Sequence, residues 1–213
     1  MTIKRLRLVA GPNGAGKSKF TTEVLIKHVN LGTYINPDEI AKTLTSDEFS
    51  NARQAQQIAK QQRERLLSNG QSLTYESVMS HPSHLDFLER ANEEDYRTYL
   101  YFIGVESPEI SKNRVKERVK EGGHTVPEEK IAPRYERVMM QLYEACLLVN
   151  RAYIFDNTEN YSLVAEVHKG QLIIHSEKPA AQLSWFQKHF VEKDHQSNTD
   201  GPNTRATNVS TDG

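Results

Sequence analysis

A three-layer α/β fold, with a mainly parallel sheet flanked by helices, is what this 213-residue sequence predicts. Three observations carry that expectation. Short apolar runs alternate with segments of helical period, the pattern of βαβ units. The first apolar run ends in a glycine-rich turn that opens a helix. Up to residue 190 there is neither an internal repeat nor a linker, so 1–190 reads as one domain.

The elements follow in order. Residues 6–10 form a short apolar run stopped by glycine, which reads as a buried strand. A helix over 17–30 comes next, with Phe20, Val24 and Leu25 on one side. Residues 33–35 make a second strand. Asn36 then supplies an N-cap and Pro37 the first helical position for a helix through Leu44. A long polar helix over 47–68 is closed by Asn69-Gly70. Residues 72–75 are the third strand, and His81-Pro82-Ser83 opens a helix to Asn92. Residues 98–105, rich in β-branched and aromatic side chains, are the clearest strand. Ser107-Pro108 starts a helix that Gly122-Gly123 stops near Glu121, and Val126-Pro127-Glu128 starts another through Val149. Residues 152–155 are a strand, 163–168 and 172–175 a hairpin across Lys169-Gly170, and 179–190 a last amphipathic helix. From 191 to 213 only Val191, Ala206 and Val209 are apolar. Such a segment buries too little to offset the entropy of ordering it, so a disordered tail is expected.

Composition excludes several classes. With 27 basic and 28 acidic residues the formal charge is −1, which argues against nucleic-acid binding by bulk charge. The longest apolar runs are about five residues (145–149, for example), against about 20 for a membrane span. A single cysteine, Cys146, excludes an internal disulfide and fits a reducing compartment. No hydrophobic leader precedes Gly11, so a cytoplasmic location is expected.

The first turn carries the chemistry. Gly11-Pro12-Asn13-Gly14-Ala15-Gly16-Lys17-Ser18, followed by Lys19, matches G-x-x-x-x-G-K-[ST] in full. Glycines let the backbone curl so that successive N–H groups point at phosphate oxygens, and the next helix adds its positive end. Lys17 would reach the β- and γ-phosphates of ATP (or GTP), and the Ser18 hydroxyl would ligate Mg²⁺. That is a P-loop NTPase signature, with its strand before and its helix after.

What becomes of the γ-phosphate depends on the later strand ends. Asp38 falls just after the second strand, where a carboxylate could serve as base toward an acceptor hydroxyl; equally, an acidic residue there stabilises a helix N-terminus. Glu76 ends the third strand, where it could hold substrate or a metal-bound water, or be solvated. Residues 112–137 hold eight Lys or Arg against five Glu. Their arginines, Arg114, Arg118, Arg134 and Arg137, flank the Gly122-Gly123-His124 hinge and suit a lid over phosphates. Asp156 resembles a Walker B aspartate but comes late in the chain, so a structural role beside Asn157 is expected. His81-x-x-His84 lacks partners for a metal site. Trp185, Phe186 and Cys146 read as core residues.

Taken in sequence, GPNGAGKS, INPDEIA, YES, RVKERVKEGGHTVPEEKI, RYERV and FDNT resemble the zeta-toxin kinase family over roughly residues 4–160. The resemblance implies a P-loop kinase fold and ATP-dependent phosphorylation of a small molecule, UDP-N-acetylglucosamine or a related nucleotide sugar. It implies Asp38 as the base, Lys17, Arg118 and Arg134 on the transferring phosphate, and Glu76 with Ser77 beside the acceptor. An antitoxin protein is the implied partner, with neither nucleic acid nor membrane. A P-loop ATPase or switch without an acceptor is the alternative. The chain departs from the family's pattern at Glu76-Ser77-Val78-Met79, where Glu-Thr-Thr-Leu is common. It departs again at Pro133-Arg134-Tyr135, where Arg-Arg-Tyr is common.

Overall fold

In the computed structural model, which describes residues 3–123, 125–175 and 183–199, the strands build one seven-stranded sheet. These are β1 (Arg5–Ala10), β2 (Thr33–Ile35), β3 (Leu73–Ser77), β4 (Arg97–Gly104), β5 (Arg151–Asp156), β6 (Ser162–His168) and β7 (Gln171–Ile174). Their spatial order is β2-β3-β1-β4-β5-β6-β7. The first five are parallel, and β6 and β7 add on antiparallel. This is the mainly parallel sheet with a terminal hairpin that the alternation predicted.

Successive side chains on a strand point to opposite faces, and the two faces of this sheet are covered unequally. Leu6 and Leu8 of β1 are fully buried on one face. There Tyr75, the register partner of Leu8, packs edge-on against Phe87 of α4 (Ser83–Glu93). Arg63 of α3 (Glu48–Ser68) covers both rings. Tyr135, Val138 and Leu142 bury the inner side of α6 (Glu128–Leu148). The opposite face is covered by a much shorter element. α1 (Lys17–Lys19) runs on through a π turn, Phe20–Val24, and a 3₁₀ turn, Leu25–Lys27, and so stops short of the expected residue 30. Phe20 lies 6.2 Å from Tyr101 and 4.8 Å from Phe155, ring to ring.

Helix starts follow the expected caps. The Asn36 side chain accepts from Asp38 N at 2.9 Å to open α2 (Pro37–Lys42). Ser107 accepts from Ile110 N at 3.4 Å to open α5 (Pro108–Lys120). At the C-terminus, α7 (Ser184–Phe186) passes through a π turn, Gln187–Val191, into α8 (Glu192–Thr199). The boundary expected at 190 therefore falls inside a continuous helical stretch. The expected tail from 200 to 213, and the start of the last helix at 179, lie outside the described residues.

That last helix locks the end of β4. Trp185 is 2% exposed, and its Nε1 donates to Asp156 Oδ1 at 3.0 Å. Thr158 donates to the same carboxylate from its backbone N and its hydroxyl. Asp156 is thus a structural acceptor, as its late position suggested. The indole lies against Gly104 so closely that a Cβ there would sit 2.4 Å from two ring carbons. Overpacking of this kind costs about 1–3 kcal/mol. Gly104→Ala is expected to lower the denaturation midpoint accordingly in a urea titration followed by Trp185 fluorescence, with an unchanged m-value.

Candidate active site

The phosphate cradle begins where β1 ends. Gly11 has φ +145°, and a Cβ on it would lie 2.1 Å from Ile103 O, so β4 leaves no room for any other residue. Lys17 Nζ donates to Gly11 O at 3.0 Å and Pro12 O at 2.9 Å, folding the lysine back across the loop. Its pKa is lowered by burial, which Glu76 and Asp38 oppose. The loop is also braced from outside. Asn157 Nδ2 donates to Ala15 O at 2.9 Å, and the Tyr161 hydroxyl to Gly16 O at 2.7 Å. Arg114 holds the bracing segment by donating to Asn157 O at 2.7 Å and Thr158 O at 2.8 Å. Lys19, the last residue of α1 proper, sits outside the cradle, 4.0 Å from Glu23.

Beneath the cradle, Glu76 gathers four donors. It is 5% exposed. One oxygen accepts from Thr21 Oγ1 at 2.7 Å and Tyr34 Oη at 2.5 Å. The other accepts from Ser18 Oγ at 2.7 Å and Asn36 Nδ2 at 3.3 Å. Asn36 Nδ2 also reaches Ser18 Oγ and Tyr34 Oη, both at 3.1 Å. Burial and the neighbouring carboxylate push the Tyr34 phenol well above its ordinary pKa, so it stays a donor. Hard oxygen donors, the Ser18 hydroxyl with a carboxylate directly behind it, are the set Mg²⁺ prefers.

From Lys17 a cavity of about 490 Å³ opens outward. Asp38, Glu76, Ser77, Arg118 and Arg134 all line it. Arg118 Nη1 stands 3.6 Å from Asp38 Oδ2, both side chains partly exposed. Arg118 is placed by the end of α5, where Gly122 N and Gly123 N donate to Val119 O and Arg118 O. Burial lowers the Arg134 pKa, and Arg137 adds to that effect while Asp38 opposes it. The far wall comes from the start of α3 and the segment at 125–127. Glu48 Oε1 accepts from Thr125 N at 2.7 Å, and Lys130 lies over the Phe49 ring.

The expected residues are thus brought together with some sorting. Arg114 and Arg137 stand outside the cavity: Arg114 braces the loop after β5, and Arg137 donates to Ser80 O at 3.3 Å. The Ser77 hydroxyl accepts from Met79 N at 2.9 Å and shares a 2.8 Å hydrogen bond with His84 Nε2. That bond accounts for His84 without a metal. Among the described residues no three His, Cys, Asp or Glu cluster as metal ligands. Cys146 is buried, with its thiol pKa raised by burial. Three residues escaped the sequence reading. Thr21, one helical turn from Ser18, was in principle visible from that spacing. Tyr34 and Tyr161 offered no signal.

A phosphate cradle at the end of β1, a carboxylate-anchored serine and an arginine-lined cavity place the chain in the P-loop, kinase-like fold class. Within that class the chain belongs to the zeta toxin family, whose model matches residues 3–167. An AvrRxo1-ORF1:AvrRxo1-ORF2 complex solved with ATP aligns with a TM-score of 0.67 at 16% identity, over 85% of this chain and 64% of that one. The PezAT chromosomal toxin–antitoxin system of Streptococcus pneumoniae aligns with a TM-score of 0.58 at 16% identity, over 90% of this chain and 87% of that one. An uncharacterized protein of Haemophilus influenzae is 37% identical over 60 residues, which is 28% of this chain and 43% of that relative. Among the described residues no helix is long and apolar enough to cross a membrane.

The pairing of His84 with Ser77 has a consequence in acid. Burial pushes the His84 pKa down from 6.5 to about 3. The unfolded chain therefore takes up this proton first as pH falls. The stabilisation is complete above about pH 6.5 and is lost progressively toward pH 3, with a slope approaching one proton, or about 1.4 kcal/mol per pH unit. His84→Gln is expected to flatten that limb in denaturant titrations between pH 4 and 6.5.

Proposed function

We propose that this chain is an ATP-dependent kinase. It would move the γ-phosphate of ATP (or GTP) to a hydroxyl of UDP-N-acetylglucosamine or a related nucleotide-sugar-like metabolite. The observation that carries the reading is the Asp38–Arg118 pair, 3.6 Å apart, on the wall of a cavity that also reaches Lys17. A base and a cation stand side by side where an acceptor entering the cavity would meet a phosphate in the cradle.

The roles follow from charge. Asp38 takes the proton of the acceptor hydroxyl as its oxygen bonds to the γ-phosphorus. The bond from that phosphorus to the β–γ bridging oxygen breaks, and the electron pair leaves with ADP. Lys17, Arg118 and Arg134 balance the negative charge spread over the transferring group. Ser18, backed by Glu76, would hold Mg²⁺. Bound there, the ion neutralises charge on the phosphate oxygens. Glu76 acts in this reading by fixing Ser18, since both its oxygens already accept from α1 and β2. Ser77 contributes to the acceptor wall. A small protein that covers the site would restrain the activity in the cytoplasm, a role supported by the toxin–antitoxin neighbour.

Two measurements test the proposal. Purified protein with Mg-ATP and UDP-N-acetylglucosamine is expected to yield a phosphorylated sugar nucleotide by mass spectrometry, and ADP release should rise with acceptor concentration. ADP release indifferent to nucleotide sugars and to a metabolite extract would replace the kinase by an ATPase. Asp38→Asn is expected to lower kcat by about 10²–10⁴-fold while ATP affinity, read by calorimetry, stays near that of the unaltered protein. Full transfer by that variant would remove Asp38 as the base.

A further inference from the structure

The short reach of α1 leaves one half of a sheet face uncovered. From Lys17 to Lys27 the helical segment is roughly 16 Å long, and it covers the carboxyl ends of the strands. Toward their amino ends the same face carries Arg5 and Arg7 of β1, Tyr99 and Tyr101 of β4, and Tyr153 of β5. These residues line a second cavity of about 400 Å³, which residues 28–30 after α1 close from the side. By strand rise its two arginines lie roughly 13–20 Å along β1 from Gly11, where the cradle begins.

Arg7 is the unusual member. It is 5% exposed, and its Nε and Nη1 have no hydrogen-bond partner among the described residues. Its guanidinium lies 5.5 Å from the centre of the Tyr99 ring. Among the described residues no carboxylate lines the cavity. The groups that act electrostatically on Arg7 are Tyr101, Arg5 and Tyr99, none of which is negative at neutral pH. Glu166, the register partner of Tyr153 on β6, is taken up by His175 at 3.0 Å. A buried arginine beside a second arginine, with no counter-charge, is costly unless something else supplies that charge. Guanidinium forks match phosphate and carboxylate oxygens. Tyr101 and Tyr153, stacked 5.1 Å apart at 8°, offer a flat apolar wall with hydroxyls at its rim.

We propose that this cavity is a second ligand site, separate from the phosphate cradle, that takes a small metabolite carrying an oxyanion. Arg5 and Arg7 bind the phosphate or carboxylate, and the tyrosine wall packs against the metabolite's body. Its volume lies at the small end of the range typical of ligand sites.

The test uses the full chain with the cradle saturated by Mg²⁺ and a β,γ-imido ATP analogue, so that further anion binding reads other sites. Inorganic phosphate and citrate are titrated separately at constant ionic strength against chloride. Melting temperature and the NMR signals of the arginine Nε–H groups serve as readouts. At least one of the two anions is expected to raise the melting temperature beyond chloride and to shift the Arg7 signal, and the stronger of them identifies the oxyanion. Arg5→Gln, whose side chain is only partly buried, is expected to weaken that anion at least tenfold and to leave the ATP analogue's affinity unchanged. Arg7→Gln is expected to abolish anion binding. The proposal is overturned if neither anion exceeds chloride, or if a folded Arg5→Gln protein binds the anion with unchanged affinity. It is equally overturned if the anion and the ATP analogue weaken together, since the anion would then be reading the cradle.

Discussion

The buried carboxylate of Glu76 is the contact on which the site's geometry depends. It binds three separate pieces of chain to one point: Ser18 and Thr21 from α1, Tyr34 and Asn36 from β2 and the turn after it, and its own strand β3. A carboxylate this deep is tolerable only because its oxygens are fully engaged by donors. The same requirement fixes the donors. Ser18 is thereby held at the mouth of the cradle. Asn36 meanwhile uses its carbonyl to cap α2 and its amide to reach Glu76, so the helix carrying Asp38 is referenced to the same carboxylate. Asp38 and Ser18 keep their relative positions because both are tied to a single buried carboxylate.

The unequal covering of the sheet is the second organising constraint. One face is sealed by α3, α4, α6 and the C-terminal helices, and its buried residues are mostly apolar. Among the described residues the other has α1 and its short continuation alone, because the cradle leads directly into a helix whose first turn faces the phosphates. The chain turns back after Lys27 to supply β2 at the sheet edge. Polar and aromatic residues are therefore retained on β1, β4 and β5 where no helix arrives. The placement of Arg7 among Leu6, Leu8, Val9 and Ala10, with Arg5 at the start of the same strand, is the imprint of that geometry.

How much was legible follows the range of the interactions. The Asn36 and Ser107 caps and the Gly122-Gly123 stop are local backbone matters, and the structure has them where the residues said, with strand ends shifted by a residue or two. The cradle was legible because its chemistry is contiguous. The sorting of the arginines was not: Arg114 and Arg118 lie one turn apart, yet one grips the carbonyls of Asn157 and Thr158 while the other faces Asp38. Only the return of the chain after β5 decides between them. Tyr161 braces Gly16 across 145 residues of sequence, which no local pattern encodes. The helix running past residue 190 was not legible for a different reason. Polarity marks how little a segment buries, and a helix extended from an anchored end at Trp185 and Phe190 needs little burial of its own.

The same distinction separates what is generic in the site from what is particular to this protein. In the proposed reaction the phosphate side is built from the cradle, from Glu76 of β3 behind Ser18, and from Arg118 of α5 and Arg134 of α6. The acceptor side is closed by two segments far apart in the chain, the start of α3 and the stretch at 125–127, joined through Glu48 and the Thr125 amide. Phe49 is 67% exposed there, with the Lys130 ammonium 5.7 Å from its ring centre. A flat ring paired with a cation at the rim is a surface that discriminates among ligands by shape and charge. In the proposed kinase reaction, selection of the acceptor would rest on this wall, whose residues are given no catalytic role. Asp38, by contrast, is tied through the Asn36 cap to Glu76, and Glu76 in turn holds Ser18.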